Sequence, residues 1–306
     1  TVICYVVLVA VLSEAVQLPL AFYQGVILER RYELSTQTTA RWWLDRLKAG
    51  GVVLVVAVAG ALVVCSLLRW NPEHWWLAAS LCFVCLLVLP AFYTLTPLRR
   101  PTLGTRLVRL AERAGAGVLG VFEWHIGDST RRANAALVGI GRTRRILLSD
   151  TLLAEHSDDE IEVVLAHELA HYVHHDSWKA IALEAILIVL GLYLADRALG
   201  AAVGHFGLTG RDDVAGLPLL VLVGGAVSLA LLPLANALSR AHERRADRYA
   251  LEMTGNAQAF ASAMRRLARQ NLAEERPSRL VEILSCSHPS VAARLEAARA
   301  WESRRA

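Results

Sequence analysis

Long apolar runs recur along this 306-residue chain, and they constrain its fold more than any other feature. A helix needs roughly 20 apolar residues to cross the hydrocarbon core of a bilayer. Runs of about that length lie at 2–28, 51–69, 75–97, 181–199 and 216–236. Hydrophobic residues also make up 55% of the chain, which is more than an ordinary soluble domain contains. We therefore expect a mainly α-helical protein that crosses the membrane repeatedly.

The first run is the least typical of these. It carries Glu14 and Gln17 and is interrupted by Pro19, so it is either a span or the lining of a cavity. It is too long, and too poor in preceding basic residues, for a signal peptide. The chain opens on Thr1 rather than methionine, which leaves open whether a further span precedes it.

The basic residues between the runs predict the orientation of the chain. ERRYELSTQTTARWWLDRLKAG follows the first run and LRRPTLGTRLVRLAER follows the third, and both are rich in arginine and lysine. Between the second and third runs stands only RWNPEHWW, which is short, aromatic and nearly neutral. By the positive-inside rule the two basic segments face the cytoplasm. Trp75 and Trp76 are then expected to be belt aromatics at the opposite interface.

This orientation divides the chain into four parts. We expect an N-terminal transmembrane region at 1–97 with a cytoplasmic loop at 29–49, a cytoplasmic catalytic unit at 98–180, a transmembrane hairpin at 181–236, and a cytoplasmic helical part at 237–306. The hairpin returns the chain to the side that it left. AHELAHYVHHD and SRAHERRAD therefore lie on the same face of the membrane, although two spans separate them.

The region 98–180 has the patterns of a small α+β unit. Residues 103–114 have helical periodicity, and VLGVFEW, NAALVGI and RRILLSD are rich in the branched and aromatic residues typical of strands. Ser157 and Glu160 have the spacing of a capping box, which predicts a helix that begins at Asp158 and runs through the histidines. Whether this helix continues into the next span stays open.

His167 and His171 lie four residues apart on that helix, so their imidazoles project from one face in consecutive turns. This spacing lets both hold one tetrahedral zinc ion, with Glu168 placed as general base for the attacking water. A helix that carries histidines on a solvated face is the plainer interpretation of the same motif. His174 and His175 lie too far along the axis to bind the same ion, and we expect them to be polar residues at the membrane surface.

A third zinc ligand has to come from elsewhere in the chain. In SRAHERRADRYA, which we expect to be helical, Glu243 and Asp247 share a face. A glutamate ligand completes the set of two histidines and one carboxylate that leaves a position open for water. Asp247 suits the carboxylate that accepts a hydrogen bond from the second ring nitrogen of a ligand histidine.

The motifs HELAH, SRAHERRAD and SHPSVAAR together resemble those of the type I CAAX prenyl endopeptidases, a family of integral-membrane zinc proteases. ERRYELSTQTTARWWLDRLK and NAALVGIGRTRRILLSDTLL resemble further segments of that family, so the similarity covers most of the chain. The resemblance implies a polytopic α-helical membrane protein with a small α+β, zincin-like catalytic unit. It also implies one zinc ion per chain and the hydrolysis of peptide bonds.

The resemblance further implies roles for residues outside the HExxH helix. His288 would stabilise the developing oxyanion, and Arg294 would pair with Asp247 or hold the shape of the site. Asn134 and the strand that begins at Ala135 would bind an extended substrate as an added strand. Simpler interpretations are a turn residue for Asn134 and a solvated helix charge for Arg294.

The expected partners are membrane lipids and a peptide or protein substrate, lipidated or not, and the net charge of +4 gives no reason to expect a nucleic acid. A heat-shock-type quality-control metalloprotease of the membrane is the alternative within the same superfamily. A non-catalytic membrane protein with structural zinc and a transporter that uses Glu14, Gln17 and Glu184 are the alternatives from other classes. The sequence indicates neither the natural substrate nor the oligomeric state.

Overall fold

A computed structural model describes residues 2–86, 96–125 and 132–305 of the chain. The chain divides into two compact units. The first draws on 1–89 and 180–231, and the second draws on 90–179 and 232–306.

Helices dominate the described residues, so the expectation of a mainly α-helical chain is confirmed. In chain order they are α1 (Val2–Phe22), α2 (Glu29–Arg31), α3 (Thr39–Trp70), α4 (Trp75–Leu86), α5 (Pro101–Arg113), α6 (Asp150–Glu155), α7 (Asp158–Val173), α8 (Asp176–His205), α9 (Leu217–Thr254), α10 (Ala257–Gln270), α11 (Arg279–Ser285) and α12 (Val291–Ser303). A π-helical stretch, Tyr23–Leu28, joins α1 to α2, and short 3₁₀ helices lie at Gly141–Thr143 and Val214–Gly216. The strands are β1 (Thr96–Pro97), β2 (Val121–Trp124), β3 (Ala135–Val138) and β4 (Arg145–Ser149).

Four helical stretches among the described residues are long and apolar enough to cross a membrane. They are Val2–Arg31, Thr39–Trp70, Asp176–His205 and Val214–Thr254. Each of them contains one of the apolar runs that we expect to be spans. The remaining expected span, 75–97, begins with α4 and continues into residues 87–95, which lie outside the described part of the chain.

Glu14, which makes the first apolar run atypical, has a partner on a neighbouring helix. Its Oε1 accepts a hydrogen bond from Arg46 Nε at 2.7 Å, between α1 and α3. α1 stays helical through Pro19 and changes to π-helical geometry from Tyr23. A carboxylate inside an apolar helix is costly unless it is paired. The ion pair with Arg46 therefore satisfies the charge of Glu14.

A buried aspartate ties the turn between α3 and α4 to the hairpin of α8 and α9. Asp196 Oδ1 accepts hydrogen bonds from Trp75 Nε1 at 2.9 Å and from Arg211 at 3.0 Å, while Oδ2 accepts one from Arg197 at 2.6 Å. Trp75 is itself fully buried, so the expectation that it is a belt aromatic is wrong. The reason is that a buried indole N–H needs an acceptor, and Asp196 supplies one from far along the chain.

The second unit contains a four-stranded sheet with the strand order β1-β2-β4-β3. β4 is parallel to β2 and antiparallel to β3, with Ala135 opposite Leu148. β3 is therefore an edge strand among the described residues. Gly139 follows it with a φ of 95°, and a Cβ there would lie 2.6 Å from the carbonyl oxygen of Thr143, so only glycine fits. The three strands expected from the sequence are confirmed.

α7 is packed on several sides within the second unit. It contacts β3, α5 and α10. Its buried residues Ile161, Leu165 and Leu169 share one core with Ile146 of β4 and Phe260 of α10. Full burial of a side chain of this size contributes about 1.5–3 kcal/mol. The helix that carries the histidine motif is thus held firmly by its apolar face.

The start of α7 follows the capping box that the sequence predicts. Ser157 Oγ accepts a hydrogen bond from the N–H of Glu160 at 3.3 Å, and Glu160 Oε2 accepts one from the N–H of Ser157 at 2.8 Å. Both N–H groups would otherwise lack a partner at the helix N-terminus. The predicted start at Asp158 is confirmed.

α7 does not continue into the next span. It ends at Val173, and α8 begins at Asp176 after a turn made by His174 and His175. His175 has a φ of 55°, in the left-handed region that an α-helix cannot include. The helix stops here without glycine, the residue that most often ends one.

Candidate metal centre and active site

His167 and His171 lie on consecutive turns near the C-terminal end of α7. Their rings meet edge to face, and the two Nε2 atoms are 3.3 Å apart. The side chain of His167 is buried, and that of His171 is mostly buried. The Nε2 atoms therefore face one shared space.

Glu243 of α9 completes this group. One of its carboxylate oxygens lies 3.2 Å from His167 Nε2, and the other lies 3.4 Å from His171 Nε2. Ligand atoms that lie about 2.0–2.1 Å from a tetrahedral zinc ion stand about 3.3 Å from one another. The observed separations thus fit a single metal ion. Within the described ranges, these three residues are the His, Cys, Asp or Glu group whose donor atoms are close enough to share an ion.

The protonation of the two histidines depends on the carboxylates around them. Burial disfavours the charged imidazole, but hydrogen bonds with Asp247 and Glu243 outweigh burial and raise the pKa of His167 to about 9. Burial likewise opposes the charge on His171, and its contact with Glu243 raises the pKa all the same. A metal ion competes with protons for these nitrogens, because coordination requires the neutral imidazole.

Asp247 lies one turn beyond Glu243 on α9 and is buried. Its Oδ1 is 3.0 Å from His167 Nδ1, the ring nitrogen that does not face Glu243. Arg294 of α12 donates two hydrogen bonds to this carboxylate, the one from Nε at 2.8 Å. Arg294 is therefore paired rather than solvated, with its side chain only 14% exposed.

Asp176 ends the segment AHELAHYVHHD and has no predicted role, yet it contacts the second histidine. Its Oδ2 lies 3.2 Å from His171 Nδ1, and its Oδ1 accepts hydrogen bonds from Arg245 and Lys179. On an unbroken helix a residue five positions along would point about 140° away from His171. The carboxylate of Asp176 reaches His171 because the turn between α7 and α8 changes the direction of the chain. Since that turn lacks glycine and proline, the sequence gives little signal from which Asp176 could have been found.

Glu168 follows His167 on α7 and is half-buried. Burial raises the pKa of its carboxyl, although the neighbouring His167 and His171 act to lower it. A raised pKa makes a carboxylate a better proton acceptor near neutral pH than an exposed glutamate is. The position and the environment of Glu168 therefore suit a general base.

A cavity of about 380 Å³ opens beside Glu168. Its polar lining consists of Asn134, His167, Glu168, Glu243, Asn271, His288 and Arg294. Ala135 lines it as well, together with apolar side chains of α7 and α10. Residues that come from five separate parts of the sequence thus share one space. Of the predicted site residues, His171 and Asp247 lie behind this lining and contact it through Glu243 and His167.

His288 lies between α11 and α12, within reach of the metal group. Its Nδ1 is 2.8 Å from a carboxylate oxygen of Glu243, and its side chain is 61% exposed. The ring therefore has one nitrogen close to the metal group and most of its surface accessible. Such a position is compatible with a hydrogen bond to a substrate.

The backbone that leads into the SHP motif is held by two side chains of α9. Asn236 donates a hydrogen bond to the carbonyl of Leu284 at 2.9 Å, and Arg240 donates to the carbonyls of Glu282 and Cys286, each at 2.7 Å. Carbonyls at a helix C-terminus otherwise lack intrahelical partners. No motif predicts these two residues, because their partners are backbone atoms more than forty positions away.

Asn134 stands immediately before the edge strand β3. Its N–H donates to Ser149 Oγ and its carbonyl accepts from the N–H of Ser149, both at 2.9 Å. The backbone of Asn134 is thus hydrogen bonded within the sheet, and the residue also lines the cavity. Ala135 is the first residue of β3, so the strand edge begins at the cavity wall.

The donor group found among the described residues does not include His174 and His175. They form the turn between α7 and α8, and the ring of His174 packs edge-on against Tyr249 with a centroid distance of 6.0 Å.

Two family models match the chain. Peptidase family M48 matches residues 97–302, and the N-terminal region of CAAX prenyl proteases, with five membrane helices, matches residues 1–98. The first match alone extends over more than half of the sequence.

Individual proteins are similar over nearly the whole chain. The uncharacterized metalloprotease YhfN of Bacillus subtilis is 31% identical over 313 residues, which covers 98% of this chain and 73% of that protein. CAAX prenyl protease 1 of Saccharomyces cerevisiae is 27% identical over 325 residues, which covers 96% of this chain and 71% of that one. A crystal structure of S. mikatae Ste24p shares the fold, with a TM-score of 0.83 and 24% identity over 96% of this chain and 74% of that chain.

The family matches and the apolar helices define a multi-pass membrane metalloprotease, a hydrolase that acts on peptide or protein substrates. The chain belongs to peptidase family M48. The resemblance to CAAX prenyl proteases that its motifs indicate is confirmed. Membership implies a metal ion, and His167, His171 and Glu243 form the described group that could hold it.

Proposed function

We propose that the protein is a zinc endopeptidase that cleaves extended, membrane-associated peptides, prenylated ones included, on the cytoplasmic side of the membrane. The observation that carries this proposal is the triangle of His167, His171 and Glu243 with Glu168 beside it. Two imidazoles and one carboxylate are typical of catalytic zinc sites, which keep a coordination position open. A structural zinc site would use a fourth protein ligand.

The chemistry follows from the placement of Glu168. When bound, zinc polarises a scissile carbonyl and makes a water molecule easier to deprotonate. Glu168 would accept that proton and then deliver it to the leaving amine. His167 and His171 would hold the ion through Nε2, and Glu243 would hold it through a carboxylate oxygen.

His288 and Arg294 would support this reaction in different ways. His288 would donate a hydrogen bond to the carbonyl oxygen as negative charge develops on it, and its accessible ring in the cavity supports that role. Arg294 would act through Asp247, which it binds with two hydrogen bonds, and so keep His167 in place.

The edge of β3 would bind the substrate as an added strand. The N–H of Ser149 donates to the carbonyl of Asn134, so this pair is hydrogen bonded across the ladder. In an antiparallel ladder such pairs alternate with pairs whose backbone groups point away from the partner strand. Ala135 and Leu137 therefore turn their N–H and C=O groups to the open edge. A substrate that pairs there would lie next to Glu168 without being selected by most of its side chains.

The proposed substrate class draws on the relatives and on the membrane spans. The Saccharomyces cerevisiae relative is named a CAAX prenyl protease, and the N-terminal family model belongs to such proteases. A lipid anchor would keep a peptide in the bilayer that the protein itself spans. We therefore include prenylated peptides in the substrate class.

The basic segments 29–50 and 98–113 support a cytoplasmic active site by the positive-inside rule. A tag fused to the C-terminal helical part would then be protected from external protease in intact cells and cleaved after permeabilisation. Cleavage of the tag in intact cells would contradict the proposed side.

The first test is the cleavage of a quenched fluorescent peptide by the purified full chain, beside Glu168→Gln. The variant keeps the size of the side chain but cannot accept a proton. We expect equal zinc content and about 10²–10⁴-fold slower cleavage. Glu252→Gln, an exposed position elsewhere on α9, is the matched control and should cleave at the wild-type rate. Cleavage by Glu168→Gln at the wild-type rate would exclude the assigned base.

The same assay with a farnesylated and an unmodified copy of one peptide tests the substrate class. A higher kcat/KM for the farnesylated copy supports prenylated substrates, and equal values favour membrane-associated peptides in general. Full zinc content without cleavage of either peptide by the wild type would instead favour a structural zinc site.

A further inference from the structure

The two histidines of the candidate metal site are supported in parallel ways. The first triad is His167, Asp247 and Arg294. In it the carboxylate lies 3.0 Å from His167 Nδ1 and accepts two hydrogen bonds from the arginine. The family motifs already point to these residues.

The second triad is His171, Asp176 and Arg245, and no motif predicts it. Asp176 Oδ2 lies 3.2 Å from His171 Nδ1, and Asp176 Oδ1 accepts a hydrogen bond from Arg245 of α9. Lys179 donates to the same oxygen at 3.3 Å, and His242 Nδ1 lies 4.0 Å from it. The carboxylate is almost completely buried, and its cationic partners are Arg245 and Lys179.

We infer that Asp176 is a positioning residue for His171 and that Arg245 holds it in place; the inference rests on the proposed zinc site. A ligand histidine usually donates its other ring N–H to a carboxylate, which fixes the tautomer and leaves the metal-binding nitrogen unprotonated. In His171 the Nδ1 atom faces Asp176 while Nε2 faces Glu243 at 3.4 Å. This is the orientation that a ligand requires.

A positioning role for Asp176 also explains why a turn separates α7 from α8. It ends the helix just after the second ligand and places the first residue of α8 beside the ring of that ligand. An acidic residue is also favourable at a helix N-terminus. A purely structural role for Asp176, tying α8 to α9 through Arg245, is the competing explanation. It predicts a loss of stability with no change in zinc affinity.

The second triad is more open to solvent than the first. The side chain of Arg245 is 38% exposed, whereas that of Arg294 is 14% exposed. Water can therefore replace Arg245 more readily than it can replace Arg294. Removal of Arg245 should thus weaken zinc binding less than removal of Asp176 does.

The test measures the zinc affinity of the purified full chain by competition with a chromogenic chelator. We expect Asp176→Asn to weaken zinc binding about 10–100-fold, as is typical when the partner of a ligand histidine is lost. Its kcat at saturating zinc should fall while KM for the peptide stays unchanged, because Asp176 does not line the substrate cavity. Glu252→Gln is the control and should keep wild-type zinc affinity.

If Asp176→Asn does not fold, substitutions of Arg245 test the same inference. Arg245→Gln should weaken zinc binding by up to about 10-fold, at the lower end of such effects. Arg245→Lys, which keeps the charge, should recover most of the affinity. Recovery by lysine supports the inference, and wild-type zinc affinity in both Asp176→Asn and Arg245→Gln overturns it.

The inference and the proposed function would be overturned by different experimental outcomes. A wild type that binds zinc and cleaves peptide, beside an Asp176→Asn variant with lowered melting temperature but unchanged zinc affinity and kcat, overturns the inference alone. A wild type that neither binds zinc nor cleaves overturns the proposed function, and the inference falls with it.

Discussion

Asp247 and Asp196 are both almost completely buried, and each is bound by arginine. In the second unit, Asp247 also contacts the imidazole of His167. In the first unit, Asp196 instead accepts a hydrogen bond from the indole of Trp75. The two carboxylates are thus alike in burial and in having arginine partners, and they differ in the further group that each contacts.

That further group decides what each aspartate does. An imidazole that gives one nitrogen to a carboxylate can bind a metal through the other, whereas an indole N–H can only donate. Asp247 therefore lies beside the proposed metal centre through its contact with His167, and Asp196 links the turn between α3 and α4 to the hairpin of α8 and α9. A buried ion pair by itself indicates neither stability nor function.

The largest effect is expected for Asp247→Asn. The change leaves Arg294 without its charged partner in a mostly buried position, which typically costs about 3–5 kcal/mol of unfolding free energy. Zinc affinity should fall as well, by about 10–100-fold. Thermal unfolding with and without added zinc measures both effects. If zinc affinity stayed at the wild-type value, the contact with His167 would have no role in metal binding.

Asp196→Asn is the matched change in the first unit. The amide can keep the bond from Trp75, and both arginines are partly exposed, so we expect a smaller loss of about 1–3 kcal/mol. Zinc affinity and the cleavage rate per folded molecule should not change. Weaker zinc binding in this variant would contradict the division between the two aspartates.

The dependence of stability on pH tests His156, a buried histidine of the second unit that lies near Glu160. It belongs neither to the site of Asp247 nor to that of Asp196. Burial lowers the pKa of His156 below its ordinary value of 6.5, although Glu160 acts against this shift. Below pH 6.5 the unfolded chain binds a proton that the folded chain does not, so stability falls as the pH drops below that value and is fully present above it. The slope is at most about 1.4 kcal/mol per pH unit. His156→Gln should flatten this part of the pH profile of the zinc-loaded protein, and an unchanged profile would exclude His156 as its source.

Ser157→Ala has the smallest expected effect. It removes the hydroxyl that accepts from the N–H of Glu160 at the start of α7, which costs about 1 kcal/mol. The melting temperature should fall slightly, while zinc affinity stays the same because the histidines lie more than two turns further along. A large loss of zinc would mean that the start of α7 is coupled to the metal group.

The sequence predicts those features that short segments determine by themselves. The apolar runs, the three strands and the capping box of Ser157 each depend on residues within one element. Four of the runs, the strands and the capping box are present in the described residues. His167 and His171 are also a local pattern, since four residues place two side chains on one helical face. Glu243 could be predicted although it lies far along the chain, because a catalytic zinc site needs a third protein ligand besides the two histidines.

Other features depend on contacts that no short segment contains. Trp75 is buried because Asp196 lies beside it, 121 positions along the chain. Asp176 reaches His171 only because the helix stops at a histidine in the left-handed region. Arg240 binds backbone carbonyls, which have no signature in the sequence at all. In all three cases, contacts with distant parts of the chain determine the conformation or the burial of the residue, and the neighbouring sequence does not contain those contacts.

The edge strand β3 is only four residues long, and this length has a kinetic consequence. Ala135 and Leu137 offer one N–H and one C=O each, so a substrate bound there as proposed gains few main-chain hydrogen bonds, each worth about 0.5–1.5 kcal/mol net. Such a complex has a short residence time. A substrate confined to the bilayer compensates by encountering the site repeatedly at high local concentration. The rate of cleavage should therefore follow the surface density of the substrate in the membrane rather than its concentration in bulk solution.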